Sequence, residues 1–172
     1  VTSKSDAKDE IVSVTDRNFR DALSRFASGV TVVTGVRPDG GLAGVTASAF
    51  TSVSLRPPLI ALCLDKTTAC IEAFTRGSHF AVHVLGEGQK SLSVHFSQRS
   101  SDKFRTVDYR LSRQGCPLLA DSLAVIECAR AAVHEAGDHF LILGRVETLD
   151  MAANGVPLLH FRGDYYGLAE KV

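Results

Sequence analysis

Two strand-like runs, 123–135 and 140–149, are separated only by Ala136-Gly137-Asp138-His139. Neither run carries helix punctuation, and so short a corner joins only neighbouring antiparallel strands. Parallel strands would need a crossover of about a dozen residues or more. This pair alone therefore argues against an alternating α/β chain. Further hairpin turns follow the same logic. Pro38-Asp39-Gly40-Gly41 separates a β-branched run at 30–36 from a returning strand that begins at Leu42, and Asn154-Gly155 precedes a short strand at 158–161. Many strands with only two or three short helices predict a mainly β, antiparallel barrel with peripheral helices.

The remaining elements fit this frame. Asp16 is placed to cap a short helix whose apolar residues Phe19, Leu23, Phe26 and Ala27 recur at helical spacing, with Gly29 as its stop. Between 45 and 54 a period of two puts Val45, Ala47, Ala49 and Val53 on one face of a strand. Thr46, Ser48, Phe50, Ser52 and Ser54 fall on the other. The run 59–64 is apolar without alternation, as in a central strand covered on both faces. Asp65-Lys66-Thr67-Thr68 then leads into a brief helix through Cys70, Ile71 and Phe74. A strand at 80–85, the turn Gly86-Glu87-Gly88 and a helix over 89–96 come next, and 97–108 is polar and irregular. A chain of 172 residues suits one domain. We assign 16–172 to it and 1–15 to a disordered or extended tail.

Charge narrows the partners. Nineteen Lys and Arg balance nineteen Asp and Glu, which argues against nucleic acid and against a basic membrane-binding surface. No stretch approaches the roughly 18 apolar residues of a spanning helix. Cys63, Cys70, Cys116 and Cys128 lack the close spacing of a zinc knuckle or a redox CxxC pair, so free thiols in a reducing cytoplasm are expected. His79 and His83 share a strand face, but no third metal ligand is evident, and no metal is expected. Gly86-Glu87-Gly88-Gln89-Lys90-Ser91 approaches a dinucleotide fingerprint. Ser91 stands where the third glycine belongs, and a long antiparallel hairpin follows, so a plain strand-to-helix turn is the better reading.

Three polar groups could hold a ligand. The hydroxyl face of 46–54 would suit a flat, polar-edged heterocycle, or could simply face solvent. Asp65-Lys66-Thr67-Thr68 could bind phosphate or merely cap a helix. Ser97, Arg99 and Lys103 could hold a phosphate by charge-assisted bonds, or be a solvated loop.

The order of motifs resembles the short-chain flavin reductases that supply reduced flavin to two-component monooxygenases, proteins of the flavin-binding split-barrel fold. The resemblance runs from about Phe19 to Leu168. It rests on Phe19-Arg20-Asp21-Ala22-Leu23, Phe26-Ala27-Ser28-Gly29-Val30-Thr31-Val32-Val33-Thr34, Gly44-Val45-Thr46-Ala47-Ser48-Ala49-Phe50 and Pro57-Pro58-Leu59. It continues through Ser97, Asp102-Lys103-Phe104, Gly137-Asp138-His139 and Arg162-Gly163-Asp164-Tyr165.

The resemblance implies an NAD(P)H:flavin oxidoreductase that passes hydride from NADH, with NADPH possible, to FMN or FAD. It further implies a homodimer whose reduced flavin leaves for a monooxygenase component. Thr46, Ala47, Ser48, Cys63, Leu64 and Asp65 would border the isoalloxazine, with Ser54 nearby. Lys66, Thr67 or Thr68 would hold the phosphate end together with Ser97 and Lys103, beside Phe104. Gly137-Asp138-His139 would be the nicotinamide-side motif, His139 the residue against NADH, and Arg162 and Tyr165 would line the same mouth. Asp65-Lys66-Thr67-Thr68 departs from the Asn and Ser that many relatives carry at this corner. Hydride transfer between stacked rings needs orientation more than covalent help. Competing readings are a flavin-binding electron carrier or redox sensor, against which Gly137-Asp138-His139 argues, and a split-barrel oxidase of a pyridoxine-like phosphate, for which no basic pocket is visible.

Overall fold

A computed structural model of the chain describes residues 13–100 and 102–169; most of the expected tail, 1–12, lies outside them. In chain order the elements begin with helix α1 (Asp16–Ser24), β1 (Ser28–Gly29), β2 (Thr31–Val36), β3 (Leu42–Ala47), β4 (Phe50–Leu55) and β5 (Pro58–Asp65). Helix α2 (Ile71–Thr75), β6 (His79–Val84), a 3-10 turn at Glu87–Gln89 and helix α3 (Lys90–Ser97) follow. Then come β7 (Tyr109–Leu111), β8 (Pro117–Leu119), β9 (Ala124–Ala136), β10 (His139–Met151), β11 (Leu159–Phe161) and β12 (Asp164–Tyr166). The small β7–β8 ribbon was not anticipated from the sequence.

One seven-stranded antiparallel sheet, in the order β3-β2-β6-β9-β10-β5-β4, makes up most of the molecule. Its centre is the hairpin of β9 and β10, joined by the two-residue corner Gly137-Asp138 with Gly137 at φ +62°, a conformation in which a Cβ would be strained. The sheet curls until β3 reaches the β5 side, where the Cys63 N–H donates to the Ala49 carbonyl at 3.0 Å. Two sheet ends thus meet without a full ladder, giving an antiparallel split barrel with β4 as a free edge.

Inside the barrel, Val33, Ala43, Ala47, Ile60, Leu62, Leu64, Phe74, Phe80, Val82 and Ile142 form the principal core. A second cluster, Val30, Val32, Leu85, Phe96, Leu119 and Leu158, lies against the opposite face under α3. Strands β2 and β6 are covered on both sides, so the alternation expected of half-buried strands is absent from them. His83 belongs to this second layer and is fully buried. Its Nδ1–H donates to the Val32 carbonyl (3.0 Å) and its Nε2 accepts from the Leu119 N–H (3.1 Å). That acceptor role fixes the neutral tautomer and uses the nitrogen a metal would need.

Three expectations require correction. The alternating strand across 45–54 is two strands at opposite ends of the sheet. The chain crosses from β3 to β4 through Ser48-Ala49, so Val53 is 51 % exposed on an edge strand instead of sharing a buried face with Ala47. Strand β5 is penultimate, not central. Helix α1 forms as the spacing requires, but Thr15 is its N-cap, accepting from the Asn18 N–H at 3.2 Å, and it ends at Ser24 well before Gly29. Phe19, Leu23 and Phe26 are 56 %, 57 % and 79 % exposed, so the apolar stripe is not buried within this chain.

Candidate functional site

A cleft of ≈ 490 Å³ opens where β3, the corner after β5 and the segment after α3 converge. The β3 wall is Leu42 to Val45. Gly44 is needed there, because Phe96 of α3 packs so closely that a Cβ on Gly44 would sit 2.6 Å from the Phe96 Cδ1. A glycine inside a strand is a sequence sign of such close approach. The carbonyl of Gly44 is thereby presented to Lys103, whose Nζ donates to it at 3.0 Å and to the Phe96 carbonyl at 2.7 Å. Two of the three ammonium hydrogens are thus committed to the protein. Partial burial lowers the Lys103 pKa below its ordinary value.

The opposite wall is the corner Asp65-Thr67-Thr68-Ala69-Cys70. Asp65 closes an Asx turn, its Oδ1 accepting from the Thr67 N–H (2.6 Å) and hydroxyl (2.7 Å). These bonds hold the Asp65 carboxyl below the usual carboxylate range, the backbone bond being the larger cause. Cys70 reaches toward the Gly44 carbonyl at 3.8 Å, and burial pushes its thiol pKa up, so it is a neutral wall rather than a nucleophile. Ser97, Arg99 and Phe104 line the third side, with Phe104 held edge-on to Phe96 at 5.3 Å between centroids.

At one end the cleft meets the long hairpin. His139 lies opposite Asp65 in the β5–β10 register, and its Nδ1 is 2.8 Å from the Asp138 carboxylate. That contact lowers the Asp138 pKa. The Ser48-Ala49 crossing is tied by its Ala49 carbonyl to Cys63, two residues before Asp65. The Ser48-Ala49 crossing, the end of β5 at Asp65 and the Gly137-Asp138-His139 corner are therefore neighbours, while the side chains of Ala47 and Leu64 are buried in the core. The Thr46 hydroxyl is already satisfied by the Ser93 carbonyl at 2.6 Å.

Asp65, Thr67, Thr68, Ser97, Lys103 and Phe104 are brought into one cleft from three distant parts of the sequence. Four expected residues are placed elsewhere. Lys66 turns its ammonium to Glu135 (2.9 Å) and over the Phe140 ring (5.3 Å), because alternation on β5 and its corner sends it to the hairpin side. Ser54 sits opposite Leu59, six residues from Asp65 and about 20 Å away along the strand. Arg162 occupies the β11–β12 turn, its N–H donating to the Ser24 carbonyl at 3.0 Å. Tyr165 pairs its hydroxyl with Ser93 at 2.9 Å on the α3 side, the residue whose carbonyl also accepts from Thr46. The sequence reading did not identify Arg37, Gly44 or Cys70 as cleft residues.

The donor set fits a phosphate-bearing ligand. Arg37, Arg99 and Lys103 face a single carboxylate, Asp65, and the hydroxyls of Thr67, Thr68 and Ser97 supply neutral donors beside them. The described residues contain no group of three His, Cys, Asp or Glu able to hold a metal, and no helix among them is long and apolar enough to cross a membrane.

Comparison with known proteins gives a consistent picture. The family model described as a flavin reductase-like domain matches residues 23–169. The chain is 41 % identical over 154 residues to the reductase subunit HsaB of a flavin-dependent monooxygenase from Mycobacterium tuberculosis, covering 88 % of this chain and 82 % of that one. It is 45 % identical over 151 residues to a probable flavin reductase of Rhizobium meliloti; this covers 87 % of the chain but only 48 % of the relative, so the chain spans about half the length of that protein. Among solved structures, the NADH:FAD oxidoreductase SgcE6 of Streptomyces globisporus, in complex with NAD and FAD fragments, superposes with a TM-score of 0.87 at 38 % identity. The match covers 93 % of this chain and 97 % of that one.

Proposed function

The chain belongs to the flavin reductase-like domain family, and from that premise we propose that it is an NADH:flavin oxidoreductase supplying reduced flavin to a monooxygenase partner. The single observation that carries the reading is the cleft itself. A cationic, hydroxyl-lined pocket for a phosphate opens at the same rim as the Ala47-Ser48-Ala49 crossing and the Gly137-Asp138-His139 corner. Phosphate recognition and a shallow ring-binding rim are what a mobile flavin requires.

When bound, the flavin supplies the hydride-accepting ring. Everything else is orientation by this chain. Thr67, Thr68, Ser97, Arg99 and Lys103 would hold the phosphate end, with Phe104 as the apolar wall beside it. The Ala47-to-Ala49 backbone, with Cys63, Leu64 and Asp65, would border the ring. His139, fixed by Asp138, would position nicotinamide over that rim, where proximity is the main source of rate. Free backbone donors of the crossing would face developing negative charge.

We further propose a homodimer. The exposed α1 stripe of Phe19, Leu23 and Phe26 and the free β4 edge, with Val53 at 51 % and Leu55 at 90 % exposure, are apolar surfaces that a second copy would cover. Either FMN or FAD suits the phosphate corner, and NADH is the favoured donor, with NADPH the alternative. Steady-state oxidation of NADH and NADPH in the presence of each flavin tests the assignment; no flavin-dependent oxidation of either would overturn it.

A further inference from the structure

The tip of the β9–β10 hairpin projects past the end of its neighbour. Strand β5 pairs with β10 only as far as Asp65 opposite His139, and Ala136, Gly137 and Asp138 beyond that point are exposed. One further backbone bond holds the tip, from the Lys66 N–H to the Asp138 carbonyl at 3.0 Å. The placement of His139 beside the cleft therefore depends on how firmly this short overhang is tied to the corner after β5.

Lys66 ties the tip a second time, through its side chain. Its ammonium donates to Glu135 Oε2 at 2.9 Å and lies 5.3 Å from the centroid of the Phe140 ring. Glu135 and Phe140 are directly paired across the hairpin, one on each arm, so a single cation grips both arms just before the turn. Phe140 packs against the principal core and is a firm anchor. Alternation sends His139 to the opposite face from Phe140, so the strap holds the tip from behind. A fully solvated ion pair would contribute little. Here the Lys66 side chain is only 31 % exposed, and the aromatic face adds to the attraction. The hydrogen bond and charge of Lys66 hold the Glu135 carboxyl below the usual carboxylate range, so the pair is charged at neutral pH.

We propose that Lys66 is a positioning residue for hydride transfer, strapping both arms of the hairpin to the end of β5 and so holding the Gly137-Asp138-His139 tip where His139 meets the nicotinamide. This rests on the flavin-reductase reading above and gives Lys66 a role apart from the phosphate. Such a strap acts on the geometry of the second ligand and leaves binding of the first alone. Small displacements of the tip are costly, because orientation is the main source of rate.

Lys66→Met removes the cation and keeps an apolar stem over Phe140. Titration with FMN and FAD should give affinities within about twofold of wild type, while anaerobic reduction of bound flavin at saturating NADH should slow by about threefold to tenfold. Lys66→Arg keeps the charge and the aromatic contact, and should restore most of the lost rate. Glu135→Gln should lose less than Lys66→Met, and the double variant should be no slower than Lys66→Met, since the two residues act as one unit. Weakened flavin binding with unchanged NADH dependence would make Lys66 a phosphate ligand and overturn the inference. So would an unchanged reduction rate in Lys66→Met, or losses that multiply in the double variant. A joint loss of flavin affinity and rate that tracks a lower melting temperature, and that arginine does not restore, would overturn it as well. In each of these cases wild-type turnover leaves the reductase reading intact; failure of the wild type to reduce either flavin would overturn both.

Discussion

Lowering the pH should destabilise this protein through His83 before its carboxylates matter. The imidazole is fully buried between Val32 and Leu119, and its Nε2 accepts the Leu119 N–H. Protonation would therefore remove an acceptor and place a charge in an apolar layer. Burial, only partly offset by the Val32 carbonyl, pushes the His83 pKa from 6.5 down to about 4. The unfolded chain then binds the proton that the folded chain refuses, so between those two values stability falls as pH falls. The contribution is fully present above pH 6.5 and is lost as pH drops toward about 4. At 1.36 kcal/mol per pKa unit the whole window is worth about 3 kcal/mol, of which about 2 kcal/mol is gone by about pH 5. The shifted carboxyls, Asp39, Asp65, Glu135 and Asp138, are all lowered, so their contributions are lost only in more acidic solution. Urea unfolding at a series of pH values, for wild type and His83→Gln, measures the difference. The variant should be less stable at neutral pH, yet its stability should vary much less with pH between 7 and 5. Identical slopes for the two proteins, or a flat wild-type profile, would refute the reasoning.

His139→Ala should leave flavin affinity unchanged while raising the NADH Michaelis constant or lowering the hydride-transfer rate by about tenfold to a hundredfold; flavin titration and anaerobic stopped-flow reduction separate the two effects. Lys103→Met should both weaken flavin binding by about tenfold or more and lower the melting temperature, because its ammonium bonds the Gly44 and Phe96 carbonyls as well as facing the cleft. A variant with normal flavin affinity would show that the third ammonium hydrogen is not directed at ligand. Sedimentation at micromolar concentration should show a dimer, and Phe19→Ser/Leu23→Ser should shift it toward monomer; an active, stable monomer of the wild type would contradict the proposed pairing.

Much of this architecture is legible in the sequence wherever a local rule decides it. The Gly137-Asp138 corner, the Gly40-Gly41 turn and the apolar run of β5 each follow from turn chemistry or period, and together they exclude a parallel sheet. The 45–54 segment misleads because period two survives the break at Ser48-Ala49: the residues alternate on paper while the chain changes sheet ends. The α1 stripe misleads differently, since helical spacing predicts an apolar face but not what covers it. At the site, Thr67, Thr68, Ser97 and Lys103 announce themselves as phosphate donors by type. Arg37 and Cys70 do not, because only closure of the barrel brings the end of β2 and the start of α2 to the same cleft. Lys66 shows the converse: the right residue type, one position from Asp65, is turned by the backbone toward Glu135.

The central claim is that this chain brings a reduced nicotinamide and a flavin together for direct hydride transfer. Anaerobic rapid mixing of the protein and oxidised FAD with excess NADH, with FMN in a parallel series, tests it most directly. The oxidised-flavin absorbance should be lost at a rate that saturates with NADH and slows when the transferred hydrogen at nicotinamide C4 is deuterium. Both flavins remaining oxidised, at a rate no greater than without protein, would contradict it and favour the carrier reading.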